Sequence, residues 1–187
     1  IRDRYYSDEF FIKTTGGNER TPWHQDTPYF PVAGNQFSSI WITLDPLSKD
    51  ECLEFVVGSH KETMFDGFDP RNPGDPTSGF YNEGLPILPD IEANRDAFPI
   101  ASWELTPGDI ILSSPSTIHG GGPTRLNSQR RALAIRAFGD DVVFAERPSS
   151  QPISVSINQS GERASRKSTT PSRSKASVIS SVIDPTG

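Results

Sequence analysis

Phe37-Ser-Ser-Ile-Trp-Ile-Thr-Leu44 puts Ser39, Trp41 and Thr43 on one face of an extended chain and Ile40, Ile42 and Leu44 on the other. Residues two apart share a face only on a strand, so this alternation predicts a β-strand. Working outward, similar short runs recur. Phe10 to Thr14 ends at Gly16-Gly17-Asn18, and Leu53 to Val57 ends at Gly58-Ser59. Trp23 to Thr27, Asp109 to Ser113 and Arg131 to Phe138 complete the series. Short strands punctuated by Gly and Pro predict an all-β sandwich or barrel.

The bulk properties agree. A chain of 187 residues can bury one sizeable core. Apolar content of 33%, with 15 Gly and 17 Pro, suits a loop-rich β protein. The net charge of −6 argues against non-specific nucleic-acid binding and against an anionic membrane surface. A single cysteine, Cys52, excludes an internal disulfide framework and fits a reducing compartment. It lies in an apolar run and reads as core. No run approaches transmembrane length. The chain opens at Ile1, directly on strand-like sequence, so N-terminal targeting is not readable and sequence is expected to be missing before it. A cytoplasmic location is the expectation, because there is no C-terminal peroxisomal tripeptide. The oligomeric state is not legible.

Residues 1–147 read as one β domain. Within it, residues 61–103 lack sustained periodicity, as in Asp69-Pro-Arg-Asn-Pro-Gly-Asp-Pro and Leu85-Pro-Ile-Leu-Pro. Their aromatics, Phe65, Phe68, Phe80, Tyr81 and Phe98, predict a packed lid over a disordered loop. Residues 148–187 hold 12 Ser among 40 residues, with five Lys/Arg against two Asp/Glu. Such sequence buries too little surface to offset its ordering entropy, and a disordered tail or linker is expected.

The chemistry concentrates in Thr21-Pro-Trp-His-Gln-Asp-Thr-Pro-Tyr-Phe30. His24 and Asp26 are two positions apart, so on a strand both reach one ion without bending the backbone. His119, in Ser114-Pro-Ser-Thr-Ile-His-Gly-Gly-Gly-Pro, is a third candidate; the chain has only three His. Two His and one carboxylate form the facial triad of non-haem Fe(II) oxygenases, which leaves positions open for cosubstrate and O2. The third histidine, His60, follows a turn glycine among polar neighbours and reads as structural. Asp109 follows Pro107-Gly108 and reads as a turn residue. Lys13 is a further cation near the first strand and reads as a surface residue.

The ordered set of blocks resembles the phytanoyl-CoA dioxygenase family. These are Trp23-His-Gln-Asp-Thr-Pro-Tyr-Phe, Phe37–Leu44, Cys52-Leu-Glu-Phe-Val-Val-Gly-Ser-His-Lys, Pro107-Gly-Asp-Ile-Ile-Leu, His119-Gly-Gly-Gly-Pro and Arg130-Arg-Ala-Leu-Ala-Ile. The resemblance implies a double-stranded β-helix, or jelly roll, with little helix and with the family's N-terminal part missing. It implies an Fe(II)- and 2-oxoglutarate-dependent dioxygenase that hydroxylates an unactivated C–H bond, with O2 consumed and 2-oxoglutarate decarboxylated to succinate and CO2. His24, Asp26 and His119 would be the metal ligands and catalytic residues, and residues 61–103 would help cover the site. Related halogenases replace the carboxylate with a small residue, so Asp26 implies oxidation.

For the cosubstrate's far carboxylate the resemblance implies an arginine, and alternation chooses which. Arg130 shares a face with Ala132 and Ala134, which leave room; Arg131 shares one with Leu133 and Ile135, which read as packing. Trp41 corresponds to an aromatic lining the 2-oxoglutarate pocket. Gln25 corresponds to a stretch touching the cosubstrate, although on a regular strand it points away from the metal. Gly121 stands where the family often has a hydroxyl, so at most a backbone contact is expected there. The substrate is a small molecule or an acyl derivative; the acidic composition fits a small metabolite at least as well as an acyl-CoA. Two other readings stay open: a cupin-like metalloenzyme that uses no 2-oxoglutarate, and a non-catalytic jelly-roll fragment.

Overall fold

The strand Phe37–Thr43 forms as its alternation predicts, and its odd-numbered residues Phe37, Ser39, Trp41 and Thr43 are the buried ones. In the computed structural model, which describes residues 4–13, 20–69, 72, 79–82, 84–124, 129–148 and 178–179, this strand is β4. The others in chain order are β1 (Arg4–Lys13), β2 (Thr21–His24), β3 (Val32–Ala33), β5 (Leu53–Val56) and β6 (Ile100–Ala101). They continue with β7 (Ile110–Ser113), β8 (His119–Gly121), β9 (Arg130–Phe138), β10 (Val143–Phe144) and β11 (Val178–Ile179). Helical structure among the described residues is limited to three short 3-10 turns.

The strands build a larger sheet in the order β1-β9-β4-β7-β11 and a smaller one in the order β2-β8-β5-β6. A two-stranded ribbon, β10-β3, lies beside them. This is the all-β jelly-roll architecture expected from the sequence. Pairing is antiparallel throughout except for β11 on β7. The core closes between the two sheets. Trp41, Ile111, Ala132 and Ala134 come from the larger sheet and Cys52 and Phe55 from the smaller side, joined by Leu47 and Leu105. Burying each large apolar side chain here contributes about 1.5–3 kcal/mol.

The inner face of the larger sheet is not its most apolar one. Ile40, Ile42, Leu133 and Ile135 lie half-buried on the outer face, and Phe10 and Leu112 are exposed there. The face bearing Ser39, Trp41, Arg130 and Arg136 turns inward, which marks it as a lined cavity and not simply packing.

Several boundaries differ from the sequence reading. β1 starts earlier, at Arg4, because its pairing with β9 runs the length of that strand. β9 itself starts at Arg130. β2 stops at His24 instead of reaching Thr27: Asp26 takes helical backbone angles (φ −76, ψ −29) and leads a 3-10 turn, Thr27–Tyr29, with Pro in its first positions. The described residues of 61–103 hold little regular structure beyond a 3-10 turn at Arg95–Ala97 and β6. Much of that segment nevertheless packs, with Phe65, Leu88, Phe98 and Ile100 closing around Val56, Ile91 and Ile118. The Ser-rich tail expected to be disordered lies outside the described residues, apart from Pro148 and the β11 pair that joins β7. No helix among the described residues is long and apolar enough to cross a membrane.

Candidate metal centre and its cavity

β2 and β8 are antiparallel neighbours, and their register sets His24 directly opposite His119. Side chains at directly opposed positions stand close together on one face. The two imidazole centroids are 4.3 Å apart. Asp26 completes the trio from the turn, not from the strand. The Asp26 and Thr27 amides both donate to the Pro115 carbonyl, at 2.8 and 3.1 Å, which folds the chain back so that the carboxylate faces the rings. Asp26 Oδ1 lies 3.5 Å from His24 Nε2 and 3.8 Å from His119 Nε2. One ligand atom from each residue falls within 4.8 Å of the others.

The hydrogen bonds identify which ring atoms face inward. His24 Nδ1 donates to the Pro22 carbonyl at 2.8 Å and His119 Nδ1 to the Thr117 carbonyl at 3.0 Å. A neutral ring held this way presents its Nε2 lone pair to the site. A backbone carbonyl that fixes the ring of a ligating histidine is a usual support of metal sites. Burial, then the nearby His24, push the His119 pKa down to about 4, against the raising influence of Asp26, so the ring is neutral at pH 7. Burial alone would raise the Asp26 pKa. The His24 hydrogen bond and the charges of His119, His24 and Arg136 outweigh it and hold the carboxyl below its ordinary range. Two imidazole Nε2 atoms and a carboxylate oxygen thus converge on one point. A cation satisfies all three at once. Ligands about 2 Å from one ion in cis positions stand about 3 Å apart, so small side-chain shifts close this trio on a metal.

Phe55 stacks on His119 at 5.5 Å, and Phe68 meets His24 edge-on at 5.2 Å. Phe68 is therefore a residue of the 61–103 segment that packs directly on a ligand. Tyr29 holds it there, its hydroxyl donating to the Phe68 carbonyl at 2.8 Å.

The trio sits in the wall of a cavity of about 310 Å³. Trp41, Ser39, Ala132 and Ala134 line one side, Leu53, Phe55 and Gly120 the other, and Phe11 and Lys13 stand toward the β1 edge. Trp41 pairs with Ala134 in register, so the indole lies beside the space that the small side chain leaves. Lys13, expected at the surface, is half-buried and lines this cavity.

The arginines separate as alternation predicts. Arg130 is buried and lines the cavity; its Nη1 donates to the carbonyls of Glu51 and Gly122, and it forms no ion pair among the described residues. Arg131 points outward and forks onto Asp45, with Nη2 2.6 Å from Oδ1 and Nε 3.1 Å from Oδ2. Gly121 stands against the same spot as Arg130: a Cβ there would come 2.9 Å from Thr21 Oγ1 and 3.3 Å from Arg130 Nη2. The Thr21 hydroxyl occupies this corner from the neighbouring strand.

Gln25 is placed differently. It is buried but does not line the cavity. Its amide donates to the carbonyls of Ser116 at 2.8 Å and Thr63 at 3.3 Å, and accepts from the Phe65 amide at 2.9 Å. Because the side chain turns away from the ligand face, its chemistry is used in tying residues 63–65 to the ligand turn. His60 lies in the 3-10 turn Ser59–Lys61, outside the ligand trio.

The sequence reading missed Arg136. It is 4% exposed, lines the cavity and reaches Asp26 Oδ2 at 3.2 Å and Glu9 Oε2 at 2.6 Å. The signal was present: Arg136 is six residues beyond Arg130, on the same strand face.

The profile of the family described as Phytanoyl-CoA dioxygenase (PhyH) matches residues 2–132. A protein named "Probable phytanoyl-CoA dioxygenase" from Caenorhabditis elegans is 28% identical over 125 residues, covering 66% of this chain and 38% of its own length. The human "Phytanoyl-CoA dioxygenase, peroxisomal" is 26% identical over 129 residues, covering 68% and 36%. This chain therefore spans well under half the length of these relatives. Among solved structures, EvdO2 from Micromonospora carbonacea, complexed with 2-oxoglutarate, superposes with a TM-score of 0.58 at 23% identity, over 80% of this chain and 57% of the other. The non-heme alpha ketoglutarate dependent carbocyclase SnoK gives a TM-score of 0.59 at 20% identity, over 80% and 55%. With a family profile covering well over half its length, the chain belongs to the phytanoyl-CoA dioxygenase family.

Proposed function

We propose that the protein is an Fe(II)- and 2-oxoglutarate-dependent dioxygenase that hydroxylates an unactivated C–H bond of a small molecule. One observation carries this reading: a cavity with three convergent metal-ligand atoms in its wall also holds a buried arginine whose hydrogen bonds go to backbone carbonyls. Family membership and the 2-oxoglutarate bound by a structural relative support it.

His24, Asp26 and His119 would hold the ferrous ion. When bound, the metal with 2-oxoglutarate and O2 supplies oxidation of a C–H bond, coupled to decarboxylation of the cosubstrate to succinate and CO2. The chain supplies position and shelter. The two imidazoles are held by carbonyls in the tautomer that offers Nε2. Arg130 presents a planar fork suited to a carboxylate. Ala132 and Ala134 leave the space between that fork and the ligands open, and Trp41 and Phe55 wall it from water. Two neutral donors and one carboxylate leave a site whose charge suits an incoming dianion. The cavity is at the small end of ligand sites, which suits a small-molecule substrate. The test is anaerobic addition of Fe(II) and then 2-oxoglutarate, watching for the weak visible charge-transfer band of the chelate. The wild-type chain should develop the band and Asp26→Ala should not. A wild-type chain that binds iron but gives no band would favour a cupin-like metalloenzyme without an oxoacid; one that binds no iron would be a non-catalytic module.

A further inference from the structure

Arg136 has a geometry that the proposed chemistry has not used. Its guanidinium is almost fully buried at the cavity wall, yet it touches the ligand trio at only one point, Asp26 Oδ2. The other oxygen of the same carboxylate, Oδ1, is the one that faces His24 Nε2 and His119 Nε2. The two oxygens of Asp26 are thus assigned to different partners. The guanidinium is held in turn. Its Nη1 donates to Glu9 on β1 at 2.6 Å, and its face lies 4.7 Å from the Phe30 ring centroid. Arg136 shares an inward face with Arg130, Ala132 and Ala134, so the strand fixes its height relative to the cavity.

We propose that Arg136 is a positioning residue that keeps Asp26 a one-oxygen ligand, with Glu9 as the brace that aims it. The proposal rests on the metal-binding reading above. A carboxylate whose second oxygen is free can swing and chelate an ion through both oxygens, as carboxylates do at larger, more flexible sites. That would fill a position that a two-point cosubstrate needs. A charge-assisted bond to Oδ2 removes the option, because turning Oδ2 toward the ion would strip the buried Nη2 of its partner.

The test separates this from a merely structural role. Arg136→Met keeps the length and apolar stem while removing the donors. Metal affinity is measured first with Co(II) alone, and 2-oxoglutarate affinity is then measured on the metal-loaded protein without O2. In Arg136→Met the metal should bind within about threefold of wild type, because a neighbouring cation has gone along with the orienting bond. The 2-oxoglutarate affinity should fall by about tenfold or more. The Co(II) absorption spectrum, which reports ligand geometry, should change in the same variant. Arg136→Lys, which restores one donor, should recover part of the loss, and Glu9→Gln should show a smaller loss in the same direction. Unchanged 2-oxoglutarate affinity and an unchanged Co(II) spectrum in a folded Arg136→Met would overturn the proposal. Equal loss of metal and cosubstrate binding would also overturn it, by showing that Arg136 only holds the fold. If Arg136→Met does not fold, the Lys and Gln variants carry the test, and wild-type behaviour in both would refute it. A wild-type chain that binds no metal would instead fail the metal-binding reading itself.

Discussion

Replacing Arg130 by lysine is the sharpest probe of how the cavity binds its cosubstrate. The substitution keeps a positive charge but removes the planar fork, and only a fork can bind a carboxylate at two points. A charge-assisted hydrogen bond contributes about 1.5–3 kcal/mol, so losing the second point should weaken 2-oxoglutarate binding roughly ten- to a hundredfold. Part of the guanidinium is already committed: Nη1 donates to the carbonyls of Glu51 and Gly122. That anchoring keeps the remaining donors aimed into the cavity, and a lysine ammonium would be drawn toward those carbonyls instead. Arg131→Ala is the matched control. Its guanidinium is exposed and forks onto Asp45, and surface pairs of this kind contribute little, so cosubstrate affinity should stay within about twofold. The assay is anaerobic titration of 2-oxoglutarate into the Fe(II)-loaded protein, read by the charge-transfer band, with thermal melting of each variant alongside. A larger loss in Arg131→Ala than in Arg130→Lys would refute the assignment. So would wild-type affinity in a folded Arg130→Lys.

Other consequences can be checked independently. Gln25→Ala leaves the carbonyls of Thr63 and Ser116 and the Phe65 amide without their buried partner, and should cost about 2–5 kcal/mol in urea denaturation; a loss below about 1 kcal/mol would mean that water replaces the amide. In the metal-free protein, His119 titrates near 4 when folded but near the ordinary 6.5 when unfolded. The unfolded chain therefore binds the extra proton, and stability should fall as pH drops from about 6.5 to about 4, by about 1.4 kcal/mol per unit for this group. Denaturation across that range in wild type and His119→Gln checks it, and an equally steep profile in both would exclude His119 as the cause. Gly121→Ala should weaken 2-oxoglutarate binding, because its Cβ would crowd Thr21 Oγ1 and Arg130 Nη2 at once; unchanged affinity would show that this corner is not used.

What the sequence made legible, and what it did not, follows from element length and from direction. β4 and β9 were readable because seven and nine residues are enough for a period of two to show. β3, β6, β8 and β10 run for only two or three residues, too short for any period, and they form through partners distant in sequence: β3 with β10, β6 with β5, and β8 with β2 and β5. His24 and Asp26 were legible as a pair, but for a partly mistaken reason. Same-face spacing on a strand places the histidine; Asp26 arrives by a turn that the Pro115 carbonyl holds closed. Gln25 shows the limit most clearly. Its three partners lie 38 to 91 residues away, and nothing local encodes them.

The inward face of β9 draws these strands together. Reading every second residue from Arg130 gives Arg130, Ala132, Ala134 and Arg136: cation, small, small, cation. Comparing neighbours decides only between Arg130 and Arg131; following the period to its end adds Arg136, which contacts Asp26. The two alanines are what make the cations useful. A large side chain at either position would fill the space beside Trp41 and Phe55, and the arginines would then face packing instead of a cavity. Ala134→Leu tests this directly. Its added volume falls against Trp41, so it should abolish 2-oxoglutarate binding while metal binding by His24, Asp26 and His119 survives, since those ligands lie on β2, its following turn and β8. Retained 2-oxoglutarate binding in a folded Ala134→Leu would mean that the cosubstrate does not lie along this strand.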